Sequence, residues 1–421
     1  MVSVFETDDH QRLGQEAIDF ARAEIEPHVA RMEAHPGQVE EEIVRRMARL
    51  GWMTVAVPRA WGGMGLGHIA KTLLLEKISQ VSPAMGAALQ ASQLGAATFY
   101  RYGSADLLRA WMPQVAEGAC LPTIAVTEHE SGGHVLGMQA TGHRDGDGWV
   151  LNGRKAFVGN SHIADAHCVV VRTGPRSAGS RKLSAFLVEK SRPGVRLVPY
   201  QTAIGLHGFS FGDIVFEDVR VPAANMIGAE GDGKDVAYAA SILAGRLNLT
   251  GVVLGIQQAL FDDTVAYAQT CHRYGAPLAD HPVIRQRLGQ MNARLMTTRT
   301  NAYTAARLLD QGRACDEQLI LAKFQAVTSA LDSAKDAMDT HGAAGLRTDR
   351  RVGQLVQDAR CIDPPAGTND IQLLRLGENA AGVDRQPYSV RLAHLTALDP
   401  PSATPSATPS ATSAPTKEHA A

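Results

Sequence analysis

Several short runs in this sequence have the residue types and spacing of known chemistry. Gly208-Phe209-Ser210-Phe211-Gly212 has the spacing of a nucleophile elbow, in which a serine on a strand-to-helix turn attacks an acyl carbon. The following run, DIVFEDVRVP, reads as a strand and not a helix, so context argues against a hydrolase. Gly228 to Lys234 (GAEGDGK) is spaced like a phosphate-cradling loop, yet Asp235 stands where Ser or Thr must ligand magnesium. Gly65-Leu66-Gly67-His68-Ile69-Ala70 imitates a dinucleotide fingerprint without a surrounding βαβ unit. His129, Glu130 and His134 are candidate ligands for a divalent cation, but no second cluster completes a shell and no metal is expected.

Elements must position whatever chemistry remains. From about residue 8 to 118, apolar residues recur at helical spacing, as in QRLGQEAIDFARAEI and IAKTLLLEKISQV, interrupted by the loop VPRAWGGMGLG. Between 121 and 229 the period becomes strand-like, in WVLNGRKAFVGN, HCVVVRT and KLSAFLVEK. Long helical patterns return from 232 to 395 with the lengths of a bundle. The expectation is an α+β chain: a helical domain over 1–120, a β domain over 121–230 and a helix bundle over 231–398. The Pro/Ser/Ala/Thr repeat of 399–421 cannot bury enough apolar surface to offset the entropy of ordering, and reads as a disordered tail.

Composition narrows the function. A formal net charge of −2 with dispersed Lys and Arg offers no basic stripe for a nucleic-acid backbone. The chain shows no signal-like start and no apolar run expected to span a bilayer, so a cytoplasmic location away from membranes is expected. Five widely separated cysteines suit reduced thiols rather than a disulfide framework or a zinc site.

Order of elements and local motifs together resemble the acyl-CoA dehydrogenase family over about residues 5 to 395. Its T-E-P-x-x-G-S-D segment appears as Thr127-Glu128-His129-Glu130-Ser131-Gly132-Gly133-His134, matching Thr127 and Glu128 but not the final Ser-Asp. Its N-G-x-K-x-W-I-T-N segment appears as Asn152-Gly153-Arg154-Lys155-Ala156-Phe157-Val158-Gly159-Asn160, which sets Phe157 at a flavin-packing tryptophan and Gly159 at a threonine that bonds the flavin. Phe216-Glu217-Asp218-Val219-Arg220-Val221-Pro222 is close to F-x-D-V-R-V-P, and His341-Gly342-Ala343-Ala344-Gly345-Leu346 resembles a G-G-x-G loop that approaches FAD from a neighbouring subunit. Arg273, two residues beyond the family's flavin-pyrophosphate arginine, is the substitute for it in this reading. Gly367-Thr368 matches the G-T of the last flavin motif.

The resemblance implies FAD as cofactor, contacted by Thr127, Phe157, Gly159, Arg273, Gly342, Gly345 and Thr368, with Arg246 on the substrate and a homotetrameric assembly. It also exposes a gap. Such enzymes need a carboxylate to take the proton beside the thioester carbonyl while hydride leaves the next carbon. The two positions at which the family carries that glutamate hold Ala366 and Gly245. Asp363 is the nearest substitute in sequence, with Asp370 and Asp339 further off.

The expected function is therefore an oxidoreductase on an acyl substrate, CoA-bound, carrier-protein-bound or a free acid, in specialised biosynthesis. Two alternatives stand beside it. One is a decarboxylating dehydrogenase or monooxygenase acting on a β-keto acid, which makes its own carbanion and resembles epoxyketone-forming members. The other is a flavoprotein that binds without catalysis. Further departures at Gly133, His134, His207 and Phe211 fall where relatives tend to carry Ser, Asp, Arg and Thr.

Overall fold

The computed structural model describes residues 5–200, 202–383 and 386–391. The repeat at 399–421 lies outside them.

Helices come first: α1 (Asp8–Phe20), α2 (Glu26–Ala34), α3 (Glu41–Arg49), α4 (Gly67–Val81), α5 (Pro83–Tyr102) and α6 (Ala105–Ala116). Their starts follow local capping chemistry. Thr7 and His10 bond reciprocally at the head of α1, and Ser82 accepts from Met85 N–H with Pro83 at the first helical position of α5. α4 has no such residue of its own; instead Asp310, far along the chain, accepts from the N–H groups of His68 (2.6 Å) and Ile69 (3.1 Å).

The middle of the chain is a sheet of β1 (Pro122–Ala125), β2 (Thr141–Asp145), β3 (Gly148–Gly159), β4 (Ala166–Arg172), β5 (Leu183–Glu189), β6 (Val195–Leu197), β7 (Phe211–Pro222) and β8 (Met226–Ile227). The order is β6-β7-β3-β2-β4-β5-β8, with β1 parallel to β4. β4 and β5 are buried almost throughout, which explains why HCVVVRT shows a continuous apolar run and not an alternation.

Helices return with α7 (Gly233–Tyr238), a π-helical stretch over Ala239–Gly245, and α8 (Arg246–Thr270). The whole run Gly233–Thr270 is apolar enough to cross a membrane by composition, but its apolar window is 94% buried in the fold. A short hairpin of β9 (His272–Arg273) and β10 (Ala276–Pro277) leads to α9 (Pro282–Asp310), α10 (Asp316–His341), α11 (Arg351–Cys361) and α12 (Asn369–Ala380). Tight crossing of α4 and α8 depends on Gly255: a Cβ there would stand 2.5 Å from Ser79 Cβ and 2.6 Å from the Glu76 carbonyl. Glu76 also ties α4 to α9, accepting from Arg299 Nη2 at 2.6 Å and Tyr303 hydroxyl at 2.9 Å. This rigid packing holds the start of α8 in place.

Candidate active site

Phe157 sits on a distortion of the sheet. β3 and β7 pair from Gly148 to Lys155 with one register shift between Leu151 and Gly153, slip again after Lys155, and resume at Val158. In that bulge Phe157 adopts φ +55°, a costly backbone for an aromatic residue, and its ring is 50% exposed. Asp213 holds the distortion. Its carboxylate accepts from the Phe157 N–H at 3.3 Å, from Arg154 Nη2 at 2.6 Å, and pairs with His129 Nε2 at 2.7 Å. Burial would raise this carboxyl, but the bonds from His129 and Arg154 hold it below its ordinary value. His129 is thereby committed to Asp213 and stacks edge-on against Phe157.

Beneath this, Glu128 and Lys155 form a buried ion pair at 2.8 Å. Glu128 also accepts from the N–H groups of Gln139 (2.6 Å) and Ala140 (3.0 Å), and Lys155 donates to the Val126 carbonyl at 2.9 Å. Burial pushes the Lys155 ammonium down to about 8, with Glu128 opposing. The pair therefore pins both ends of the 126–140 loop. Thr127 is half-buried in it, its carbonyl accepting from Ala156 N–H at 2.8 Å. Beyond Ser131, Gly132 and Gly133 are exposed, with nothing within 4 Å of a notional Cβ.

The departures at Gly159 and Phe211 are linked in space through Phe209. A Cβ on Gly159 would meet the Phe209 ring at 3.0 Å and Ala91 Cβ at 3.1 Å. Phe209 stacks on Phe211, whose ring lies 5.7 Å from that of Phe157. An aromatic series thus stands where a hydroxyl side chain is missing, and Phe209 leaves it no room. Ser210 is fully buried, its hydroxyl accepting from His162 N–H at 3.3 Å, and β7 follows it directly.

The two glutamate positions meet. A Cβ on Gly245 would lie 3.3 Å from Ala366 Cβ and 3.9 Å from Leu94 on α5. Gly245 closes the π-helical stretch, and Arg246 follows it, 6% exposed, with no partner for Nε among the described residues. Burial pushes the Arg246 guanidinium down to about 10, with Asp316 opposing. Ala366 has φ +56° in the loop between α11 and α12. Lys323 of α10 fixes that loop, donating to the carbonyls of Asp363 (2.6 Å) and Gly367, and burial pushes its ammonium down to about 8. Asp363 is occupied elsewhere: its carboxylate accepts from Asn369 N–H at 3.2 Å and lies 3.6 Å from Arg360. Thr368 is the N-cap of α12, its hydroxyl facing Ile371 N–H at 3.5 Å.

Arg273 and the Gly342–Gly345 turn gather far from this. Tyr267 near the end of α8 stacks on His341 at 4.2 Å and donates to its carbonyl, directly before Gly342. Gly342 has φ +56° and nothing within 4 Å of a notional Cβ, while Gly345 packs on His341 and Met338. Arg273 is exposed and donates to the His272 carbonyl at 2.7 Å. Along the helix, Gly245 to Tyr267 spans about 33 Å at 1.5 Å per residue. Within one chain, then, α8 sets the cluster of Arg273 and Gly342 about 33 Å along its axis from Gly245 and its neighbour Ala366.

The donor set fits FAD in its parts: a half-exposed aromatic ring on a fixed backbone, open glycine backbones, and a capped helix N-terminus of the sort that receives phosphate. Sequence reading missed Asp213, Lys323 and the role of Phe209, because each acts through a contact distant in sequence. Among the described residues no group of three or more His, Cys, Asp or Glu is arranged to hold a metal.

Comparison with known proteins gives a consistent result. Family models described as the acyl-CoA dehydrogenase N-terminal, middle and C-terminal domains match residues 7–119, 123–219 and 231–381. The chain is 31% identical over 365 residues to an acyl-CoA dehydrogenase of Bacillus subtilis, covering 86% of this chain and 96% of that one. Its fold is similar to butyryl-CoA dehydrogenase from Megasphaera elsdenii, with TM-score 0.86, 26% identity, and coverage of 89% and 99%. It is also similar to the FAD complex of PigA, with TM-score 0.84, 25% identity, and coverage of 90% and 98%.

Proposed function

Since the chain belongs to the acyl-CoA dehydrogenase family, whose members are FAD-dependent oxidoreductases, we propose that it oxidises an acyl substrate without a carboxylate base at either family position. The carrying observation is the contact of Gly245 with Ala366, where no side chain can take a proton. Bound FAD supplies a hydride acceptor. Around it this chain's residues bind and orient. Phe157, held by Asp213, would pack beside the flavin and limit water; the Glu128–Lys155 pair fixes the loop bearing Thr127; and Thr368 and the head of α12 favour negative groups. At Gly159 the hydroxyl contact is absent.

Arg273, Gly342 and Gly345 serve the flavin of a neighbouring protomer in this reading, because α8 carries them about 33 Å from Gly245 and Ala366 of their own chain. A homotetramer is proposed on that basis. Apolar exposure on the C-terminal helices and their loops supports it: Leu346 is 77% and Leu374 54% exposed. The setting we propose is cytoplasmic and biosynthetic, the acyl group carried by CoA, by a carrier protein or as a free acid.

A decarboxylating reaction is favoured by one further observation. Arg246 is a buried cation beside the absent glutamate, with Nε unpartnered among the described residues, so an anionic substrate group would satisfy it. A β-keto carboxylate provides one. Loss of carbon dioxide breaks the carbon–carbon bond and leaves its electron pair on the α-carbon, so no proton need be removed; hydride then leaves the neighbouring carbon for FAD and an enone results.

The test is anaerobic mixing of the FAD-loaded protein with a saturated acyl-CoA and with an α-alkyl β-keto acid, following loss of flavin colour. Bleaching by the β-keto acid, with the acyl-CoA about 10²-fold slower or more, is expected. Rapid bleaching by the acyl-CoA would sink the base-free reading. Failure to retain FAD would sink the enzyme reading as a whole.

A further inference from the structure

A second cationic site lies away from Arg246 and Ala366. Between α4, α5 and the loop before α4 is a cavity of about 30 Å³, lined by Met53, Val55, Val57, His68, Lys71 and Arg101, among others. That volume accommodates about two waters, or one carboxylate group. Its charged lining is of one sign, with Gln93 and Tyr100 as the neutral polar groups beside it. Lys71 is 4% and His68 3% exposed, and His68 Nδ1 has no partner among the described residues. Neither the Lys71 ammonium nor the Arg101 guanidinium makes a hydrogen bond or ion pair with a described residue. Asp310 is the acid that acts on Lys71, and its oxygens are committed to the N–H groups of His68 and Ile69.

A buried ammonium such as that of Lys71 is rarely left without a hydrogen-bonded partner, because it loses its hydration and gains little in return. Burial pushes the Lys71 ammonium down to about 7, Arg101 adds to that, and burial keeps His68 well below the usual imidazole range.

We propose that this cavity binds a carboxylate, gripped by Lys71 and Arg101 with His68 as a further donor. Its position gives two sources. α5 carries Leu94, Ala97 and Arg101 along one half-exposed face, and Leu94 adjoins Gly245. Arg101 therefore stands about 10 Å along α5 from the proposed reaction site. One source is the far end of an acyl group that carries a second carboxylate, an assignment that rests on the proposed function above. The other is a free dicarboxylate acting as an effector.

The FAD-loaded protein, Lys71→Met and Arg101→Gln are compared by calorimetric titration and thermal unfolding with succinate and glutarate, and by flavin bleaching with ω-carboxyacyl and matched plain thioesters. Methionine keeps the volume of Lys71 and suits an apolar site, so the variant is expected to fold. The site predicts carboxylate affinity that falls about tenfold or more in each variant. Affinity for free dicarboxylates assigns the effector source; a preference for ω-carboxyacyl thioesters that both variants lose assigns the substrate source. Binding of succinate needs no turnover, so it stands even if no thioester bleaches the flavin. Should neither class show Lys71- and Arg101-dependent binding, the proposal fails.

Discussion

Gly245 and Ala366 face each other across the start of α8, so close that a Cβ on the first would lie 3.3 Å from that of the second. Two positions separated by 121 residues of sequence thus form one small apolar surface. A glutamate projecting from either side would occupy the same space. Their joint emptiness is consequently a property of one site, and Arg246 beside it is the cation that remains.

Restoring a carboxylate is best done from Ala366. Gly245 is crowded, with the Ala240 carbonyl also 3.3 Å from a notional Cβ, whereas Ala366 already has a side chain and already adopts φ +56°, so a longer residue adds little new backbone strain. Ala366→Glu is expected to raise the rate at which a saturated acyl-CoA bleaches the flavin by about 10²–10⁴-fold. Stopped-flow absorbance under nitrogen measures it. No gain with a folded, FAD-loaded variant would mean that the thioester does not reach Ala366.

The Glu128–Lys155 pair anchors the loop that carries Thr127, and each partner is almost wholly buried. Lys155→Met leaves Glu128 buried without its counter-ion, bonded only to the Gln139 and Ala140 N–H groups, and should cost roughly 3–5 kcal/mol, whereas Lys155→Met with Glu128→Gln should recover much of that. Denaturant unfolding of the single and double variants gives the comparison. Equal losses in both would show that the packing of Lys155, not its charge, matters.

Much of this was legible in sequence, and the remainder was illegible for a physical reason. Periodicity gave helices, then strands, then helices, because burial on one face leaves a repeat along the chain, as in α3 and β7. Motifs singled out Phe157, Ala366 and Thr368, because the residues flanking each in sequence follow the family's runs. Contacts between distant segments leave no such trace: Asp213 on Phe157, Lys323 on the Gly367 carbonyl, Asp310 as the cap of α4. Lys71 carried a faint signal, a lysine amid the apolar run of IAKTLLLEKI, but only packing shows that it points inward.

Gly159 and Phe209 should behave as a coupled pair. Threonine at 159 would drive its Cβ into the Phe209 ring at 3.0 Å and Ala91 at 3.1 Å, and overpacking of this kind costs about 1–3 kcal/mol. Gly159→Thr is expected to lose that stability and weaken FAD retention, and Phe209→Ser in the same chain to restore both in part. A double-mutant cycle by thermal unfolding reads the coupling. Strict additivity would show that the aromatic series was not what excluded the hydroxyl.

Lys71 should make stability depend on pH in a direction that can be worked out. Burial sets its folded pKa at about 7, below the ordinary 10.5, with Arg101 lowering and Asp310 raising it. Between those values the unfolded chain binds more protons than the folded one, so this group's contribution to stability improves as pH rises from about 7 to 10.5, and its penalty is fully present below 7. In Lys71→Met that penalty is gone. The variant should therefore exceed the parent by a few kcal/mol near pH 6, with the gap closing as pH approaches 10. Comparing the two at each pH cancels the opposing titration of the buried thiols of Cys120, Cys168 and Cys315, which burial pushes up and which weaken the fold above about pH 9 in both chains. Guanidinium unfolding of both proteins from pH 6 to 10 supplies the measurement, and a gap that stays constant across that range would show that Lys71 keeps its proton in the folded state. Saturating succinate should narrow the gap at low pH by stabilising the parent alone, since the anion then compensates the ammonium that methionine lacks.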